Sequence, residues 1–330
     1  MEVISFDSLP NEIKNIILSY TNNKVFDLSL VNKYFNDNCK VIRITNNKKY
    51  PKLDDINLKK LINITCLYLN NNKITNEGIK KLINITHLYL SNNDKITDDG
   101  IKDLINIIHL NLYANKIITN EGIKRLTNLT SLHLGYNHII SYDGIKELYN
   151  LNNLVLCTNY KITNEGIKRL TNITSLDLSY NGIITNEGLK VLTNLKSLNL
   201  RNNTIITSIR ELTGLTSLNL SYNHSISNEE LKCVTNLNSI NLCENMLITN
   251  ETIKNLTNLT DLDLHYNRKI TDKSIKKLIN LTTLNLRDND TITNQGIKGL
   301  TNLTTLNLRN NHTITSTENL VNLSKIIRQK

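Results

Sequence analysis

The chain has 330 residues, 39 Lys and Arg against 29 Asp and Glu, a formal net charge of +10 and 39% apolar residues. That apolar share can bury a core, which excludes wholesale disorder, and the lack of any run of eighteen apolar residues excludes a membrane-spanning helix. Asn occurs 57 times, Ala once (Ala114), Trp never, and Lys outnumbers Arg 30 to 9. This is the imprint of an AT-rich genome, so the Asn and Lys excess acquires meaning only from position.

The first residues, Met1-Glu2-Val3-Ile4-Ser5-Phe6-Asp7, carry an acid where a signal peptide needs basic residues and lead into no apolar stretch. The chain is therefore expected inside a cell, in the cytoplasm. Cys39, Cys66, Cys157, Cys233 and Cys243 are odd in number and widely spaced, with no C-x-x-C pair. This speaks against a disulfide framework or a zinc site and suits free thiols. All Phe lie at Phe6, Phe26 and Phe35, both Pro at Pro10 and Pro51, and every Gly at Gly78 or later. Two differently built segments therefore meet between residues 45 and 60.

The first segment, residues 1–40, reads as helical. Pro10 suits a helix's first turn, and Ile13, Ile16, Ile17 and Tyr20 form a stripe at helical spacing. Thr21-Asn22-Asn23 breaks it, and Leu28, Val31, Tyr34 and Phe35 form a second stripe. So short a segment buries little alone, and it is expected to pack on the first repeat, on a partner, or on both. Residues 41–60 form a basic neck. There Ile42-x-Ile44-x-x-Asn47 reads as an irregular first repeat, joined through Pro51 and Leu53 to Leu58, which would cover the open N-terminal edge.

From residue 61 to the end the chain repeats itself. The residue opening each unit falls at Leu61, 82, 104, 126, 148, 170, 192, 212, Val234, Leu256, 278, 300 and 320, with steps of 20 to 22. Within each unit the pattern is L-x-x-L-x-L-x-x-N. It closes on Asn72, Asn93, Asn115, Asn137, Asn159, Asn181, Asn203, Asn223, Asn245, Asn267, Asn289 and Asn311. In L-x-L, alternate side chains share a face. Leu67 and Leu69 are thus expected to face a core, with Cys66, Tyr68 and Asn70 facing out. The closing Asn sits at a sharp turn, where its amide can bond stranded backbone groups. Stacked units predict an Asn ladder.

The second half of a unit, as in Ile162-Thr-Asn-Glu-Gly-Ile-Lys-Arg-Leu170, predicts a short helix. Thr163 or Asn164 would cap it, Glu165 would lie near its positive end, and Ile167 and Leu170 would face the core. Two units, opening at Leu192 and Leu300, are two residues short in this half, so a tighter or extended outer segment is expected there. No unit can bury its own apolar face, so neighbours must do it.

The repeat resembles the leucine-rich repeat. The resemblance implies an α/β solenoid, a horseshoe with a parallel sheet on its concave face and short helices on its convex face. It would comprise about twelve units and a C-terminal partial unit over residues 61–330. The N-terminal segment resembles the F-box in Leu9-Pro10-x-Glu12-Ile13, Ile17-Leu18-Ser19-Tyr20, Asp27-Leu28 and Val31-Asn32-Lys33-x-Phe35. F-box proteins with C-terminal leucine-rich repeats are a family of ubiquitin-ligase adaptors. Departures are Phe35 where Trp is frequent, a polar loop at Thr21 to Lys24, and repeats shorter than that family's. The resemblance implies that Leu9, Pro10, Ile13, Ile17, Leu28 and Val31 dock the Skp-type linker of a cullin–RING ligase. The composition and short regular repeats also resemble proteins of giant DNA viruses and AT-rich protists; for a viral protein the ligase would be the host's.

The outward strand positions are the default binding surface. In the first four units they carry Tyr68, His87, Tyr89, His109, Tyr113 and His133, whereas later units carry mainly Ser, Asn and Thr. Tyr joins contact area to a polar tip, which makes this stretch the candidate target-binding face; the plainer alternative is scattered exposed residues. His87 and His109 occupy equivalent positions in adjacent units, with Cys66 nearby. They read as an incomplete zinc site or as ordinary surface histidines. Asp261, Asp263 and His265 alternate beside Arg287 and Arg309, as a paired-carboxylate site or, more simply, a polar rim.

The charge of +10 raises nucleic acid, but Arg201, Arg287 and Arg309 balance Asp177, Asp261 and Asp263 on the outward strand positions. The Lys excess instead forms a column at Lys80, 102, 124, 146, 168, 190, 232, 254, 276 and 298, most of it three residues after an acid, as a solvated helix face would be. Sequons such as Asn63, Asn84, Asn128 and Asn172 fall out of the repeat pattern. The sequence thus points to a non-enzymatic adaptor without cofactor or metal. It is expected to bind proteins rather than nucleic acid or membrane, and to be a monomer outside its complex. The alternative is a general scaffold whose N-terminal helices only cap the solenoid.

Overall fold

The computed structural model describes residues 41–43, 54–59, 63–70 and 73–328. The expected docking residues Leu9, Pro10, Ile13, Ile17, Leu28 and Val31, and the first ladder position Asn72, lie outside the described residues. The chain divides into two compact units, Met1–Asn152 and Asn153–Lys330.

In the first unit five strands pair in parallel in chain order. They are β1 (Val41–Arg43), β2 (Cys66–Tyr68), β3 (His87–Tyr89), β4 (His109–Asn111) and β5 (Ser131–His133). The register puts Ile42, Leu67, Leu88, Leu110 and Leu132 in one row. In β3 to β5 the middle residue of each strand is its buried one, as Leu88 and Leu110 show, because successive side chains alternate across the sheet. Cys66 departs from the outward reading: it is only 6% exposed. Its small side chain sits in register with Val41 on one side and the larger His87 on the other.

The second unit repeats the arrangement with β6 (Asn153–Val155), β7 (Ser175–Asp177), β8 (Ser197–Asn199), β9 (Ser217–Asn219) and β10 (Ser239–Asn241). It continues through β11 (Asp261–Asp263), β12 (Thr283–Asn285), β13 (Thr305–Asn307) and β14 (Lys325–Ile327).

Between strands the chain makes single helical turns, such as Asn76–Ile79 and Asn120–Ile123 in the first unit and Asn164–Ile167 and Asn250–Ile253 in the second. One turn has no stability of its own. Each is held by burying its last residue (Ile79, Ile123, Ile167, Ile253) and by its caps. Thr75 and Thr119 are extended N-cap residues whose hydroxyls accept from the N–H groups of Glu77 and Glu121. In the two short repeats, residues 204–209 and 312–317 run without a helix.

Three columns of Asn hold successive coils together. The expected ladder is the innermost. Asn203, fully buried, accepts from the N–H groups of Ile205 and Ile206 and donates to the carbonyls of Leu178 and Asn181. The residue before each described ladder Asn is left-handed, with φ from 48° to 55° at eleven positions from Asn92 to Asn310, none of them Gly.

A second column stands at the first helical residue. Asn164 does not cap its own helix; it accepts from Thr185 N–H and donates to Thr185 Oγ1 in the next coil. Asn76 does the same with Thr97, while Asp98 accepts both bonds from Thr119. The third column lies three residues before a strand. There Asn106, Asn128 and Asn150 in the first unit, and Asn194, Asn236, Asn280, Asn302 and Asn322 in the second, donate to a carbonyl of the preceding coil at 2.9 to 3.0 Å. The sequon nitrogen of Asn128 is thus a structural donor.

Candidate protein-binding face

The parallel register of β2 to β5 brings the outward residues of the first unit side by side. Tyr68 and Tyr89 stack with ring centroids 4.0 Å apart and planes 7° apart. His87 and His109 stack at 5.5 Å and 18°, and Tyr89 leans on His109 at 5.2 Å. Tyr113 meets His133 edge-on at 5.4 Å. All six predicted residues are therefore half-buried members of two ring groups on one sheet face. Sequence reasoning missed a seventh, Tyr136, which is 45% exposed and meets Tyr113 at 5.3 Å. Its φ of 53° turns it toward Tyr113 from outside the strand. Recurrence of Tyr at the same place, in Tyr180, Tyr222 and Tyr266, was the available signal.

The segments that carry the rings are polar, and Arg43 of β1 stands in register with Tyr68. Asn111 Oδ1 accepts from Tyr113 N–H at 2.9 Å and from Ser91 Oγ at 3.0 Å, and Thr86 Oγ1 lies 2.9 Å from His87 Nδ1. No Asp, Glu, Lys or Arg occurs in residues 65–70, 86–92, 108–114 or 130–136. Burial, then the neighbouring His87 and His133, push His109 below the usual imidazole range, so it is neutral at pH 7. The two stacked pairs spend ring faces on each other. Paired rings with hydroxyls and amides beside them join rigid contact area to polar tips, which suits protein side chains.

The strand face of the second unit uses its polar groups internally. Asp177, Asn199, Asn219, Asn241, Asp263, Asn285 and Asn307 each accept from the N–H two residues on. Asp261 accepts from Thr260 Oγ1 at 2.8 Å, and Asp263 also accepts from Asn241 Nδ2 at 3.3 Å. The carboxylates read as a possible catalytic pair are thus turn and side-chain acceptors. His265 lies 3.5 Å from Cys243 Sγ and 3.3 Å from Asp288 Oδ2. The thiol is only 5% exposed, and burial followed by the charge of Asp263 pushes it up to about 11, far from a thiolate nucleophile. Among the described residues no group of three or more His, Cys, Asp or Glu could hold a metal ion. No described helix is long and apolar enough to cross a membrane.

Comparison with known proteins agrees with this architecture. The leucine-rich-repeat model matches residues 60–83, 81–105, 125–148, 212–233, 255–279 and 277–300, and a two-copy form matches 171–214. An internalin from Listeria monocytogenes is 30% identical, with 82% of each chain covered and a TM-score of 0.58. The chain belongs to the leucine-rich-repeat family. A leucine-rich-repeat protein of Leptospira interrogans is 25% identical over 83% of this chain and 80% of its own, with a TM-score of 0.58. TLR13, solved with ssRNA13, shares the leucine-rich-repeat fold at 23% identity, covering 83% of this chain and 50% of that one, with a TM-score of 0.60. No curated protein matches the chain in sequence. As a leucine-rich-repeat protein, the chain is a protein-interaction scaffold.

Proposed function

We propose that this scaffold is a non-enzymatic adaptor. The face of β2 to β5 takes a target protein, and the N-terminal segment, residues 1–40, delivers it to a cullin–RING ubiquitin ligase in the cytoplasm. The observation that carries target binding is the double ring group of Tyr68, His87, Tyr89, His109, Tyr113, His133 and Tyr136. Such rigid amphipathic side chains give contact area at little entropic cost. The ligase half is supported by the F-box-like spacing of Leu9, Pro10, Ile13, Ile17, Leu28 and Val31. The mechanism is proximity: a tethered target sees the ligase at a high effective concentration. The decisive experiment is co-purification of the full chain with a Skp-type linker. Capture that is abolished by Leu9→Ala with Pro10→Ala supports the adaptor. No capture, or capture unchanged by the double variant, sinks the ligase half and leaves a scaffold with a helical cap.

A further inference from the structure

The lysine column on the helix side is not uniform. In eight repeats the lysine after the helical turn pairs with an acid three residues earlier: Lys80, 102, 124 and 146 in the first unit, Lys168, 190, 232 and 254 in the second. In the last two helical repeats the acid is gone. Lys276 follows Lys273, and Lys298 follows Gln295. With Lys277 these make four exposed lysines on adjacent turns, and none of the four forms an ion pair among the described residues.

Three carboxylates lie nearby. Glu251 pairs with Lys254, and Asp272 accepts from Thr293 N–H and Oγ1. Glu318 stands alongside the last repeat, exposed. Beside Lys298 the missing helix of the final short repeat leaves a cleft of about 200 Å³, lined by Gln295, Ser316, Thr317 and Asn319. The other short repeat leaves an equivalent cleft of about 120 Å³, where Glu211 stands in place of Asn319 and Lys190 is paired with Glu187. The same notch thus occurs twice, and only the later copy has exchanged both acids for amides.

We propose that the helix side of Asp272–Ile275 and Asn294–Ile297 is a docking surface for an acidic protein segment. Its carboxylates would meet Lys276 and Lys298, and one side chain would enter the amide- and hydroxyl-lined cleft. Charge complementarity argues for the acid: the four lysines outnumber Asp272 and Glu318 on the same coils, and the excess attracts carboxylates over the screening distance and steers their approach. The absence of Arg and aromatic side chains among these lysines argues against a nucleic-acid strand, which such sites grip by stacking. The cleft is too small for a nucleotide and admits a single side chain.

The test is fluorescence anisotropy of a labelled poly-glutamate peptide with the full chain at low salt. Lys273→Glu with Gln295→Glu restores the pairing of the other eight repeats, so the fold is kept, and binding is expected to fall about tenfold as like charge is placed at the site. Lys124→Gln, Lys168→Gln and Lys190→Gln combined in one chain make the same change of three charge units at already paired positions, and are expected to leave binding unchanged. No saturable peptide binding, or equal loss in both variants, overturns the proposal. So does tighter binding of a single-stranded oligonucleotide or of phosphatidylserine vesicles through the same lysines.

Discussion

Glu230 shows how one side chain replaces a missing element. The short repeat before it has no helix, and its backbone is stranded where a helical turn would run. Glu230, 6% exposed, accepts from Ser208 Oγ at 2.7 Å and Ile209 N–H at 3.0 Å and pairs with Arg210. Burial pushes its carboxyl up, but the bonds from Arg210, Ser208 and Ile209 outweigh it and hold the group at about 2. Because the folded value lies below the ordinary 4.5, the carboxylate stabilises the fold fully above about pH 5, and that contribution is lost as pH falls toward 2. Glu230→Gln is expected to cost about 2 kcal/mol in urea unfolding at pH 7, since three donors lose their charged acceptor. The difference from the parent chain should shrink steadily between pH 5 and pH 2; a difference constant with pH would show that the charge does no work there.

At the scale of the element, the helical turns are specified by what lies in the next coil. A Cβ at Gly122 would fall on Asp98 Oδ1, the acceptor that ties Asp98 to Thr119, and would have to displace it. Where the Gly is replaced, Thr252 and Ser274 put a hydroxyl in the same space and bond Asn228 and Asn250 at 2.7 and 2.8 Å. Gly122→Ala is expected to lower stability by about 1–3 kcal/mol by breaking that column. Gly299→Ala, with nothing within 4 Å of the added carbon, should change it by less than about 0.5 kcal/mol. Equal effects in thermal unfolding would contradict the column.

The leucine and inner-ladder positions were readable in the sequence because each period places one residue type at one place. Two Asn columns were not readable as such. Asn at a helix start reads as a cap, and Asn in a sequon reads as a modification signal. Only the stacked geometry shows that both amides reach the neighbouring coil. Tyr136 was missed for the same reason: its left-handed turn, not its strand parity, brings it to Tyr113.

At the scale of the molecule, the sequence excesses divide between the two sides of the sheet. Asn serves as mortar between coils, and most of the lysine column is neutralised where it stands. That leaves the strand face of the first unit as an aromatic surface and the last helical turns as a basic one. The central claim is that the former receives the target. The most direct test places a benzoylphenylalanine photocrosslinker at Tyr89 and, in a separate chain, at Asn219 on the strand face of the second unit. A discrete protein adduct is expected from position 89, lost when Tyr68 and Tyr113 are changed to Ala, and none from position 219. An adduct from position 219 alone, or one from position 89 that survives those changes, would contradict it.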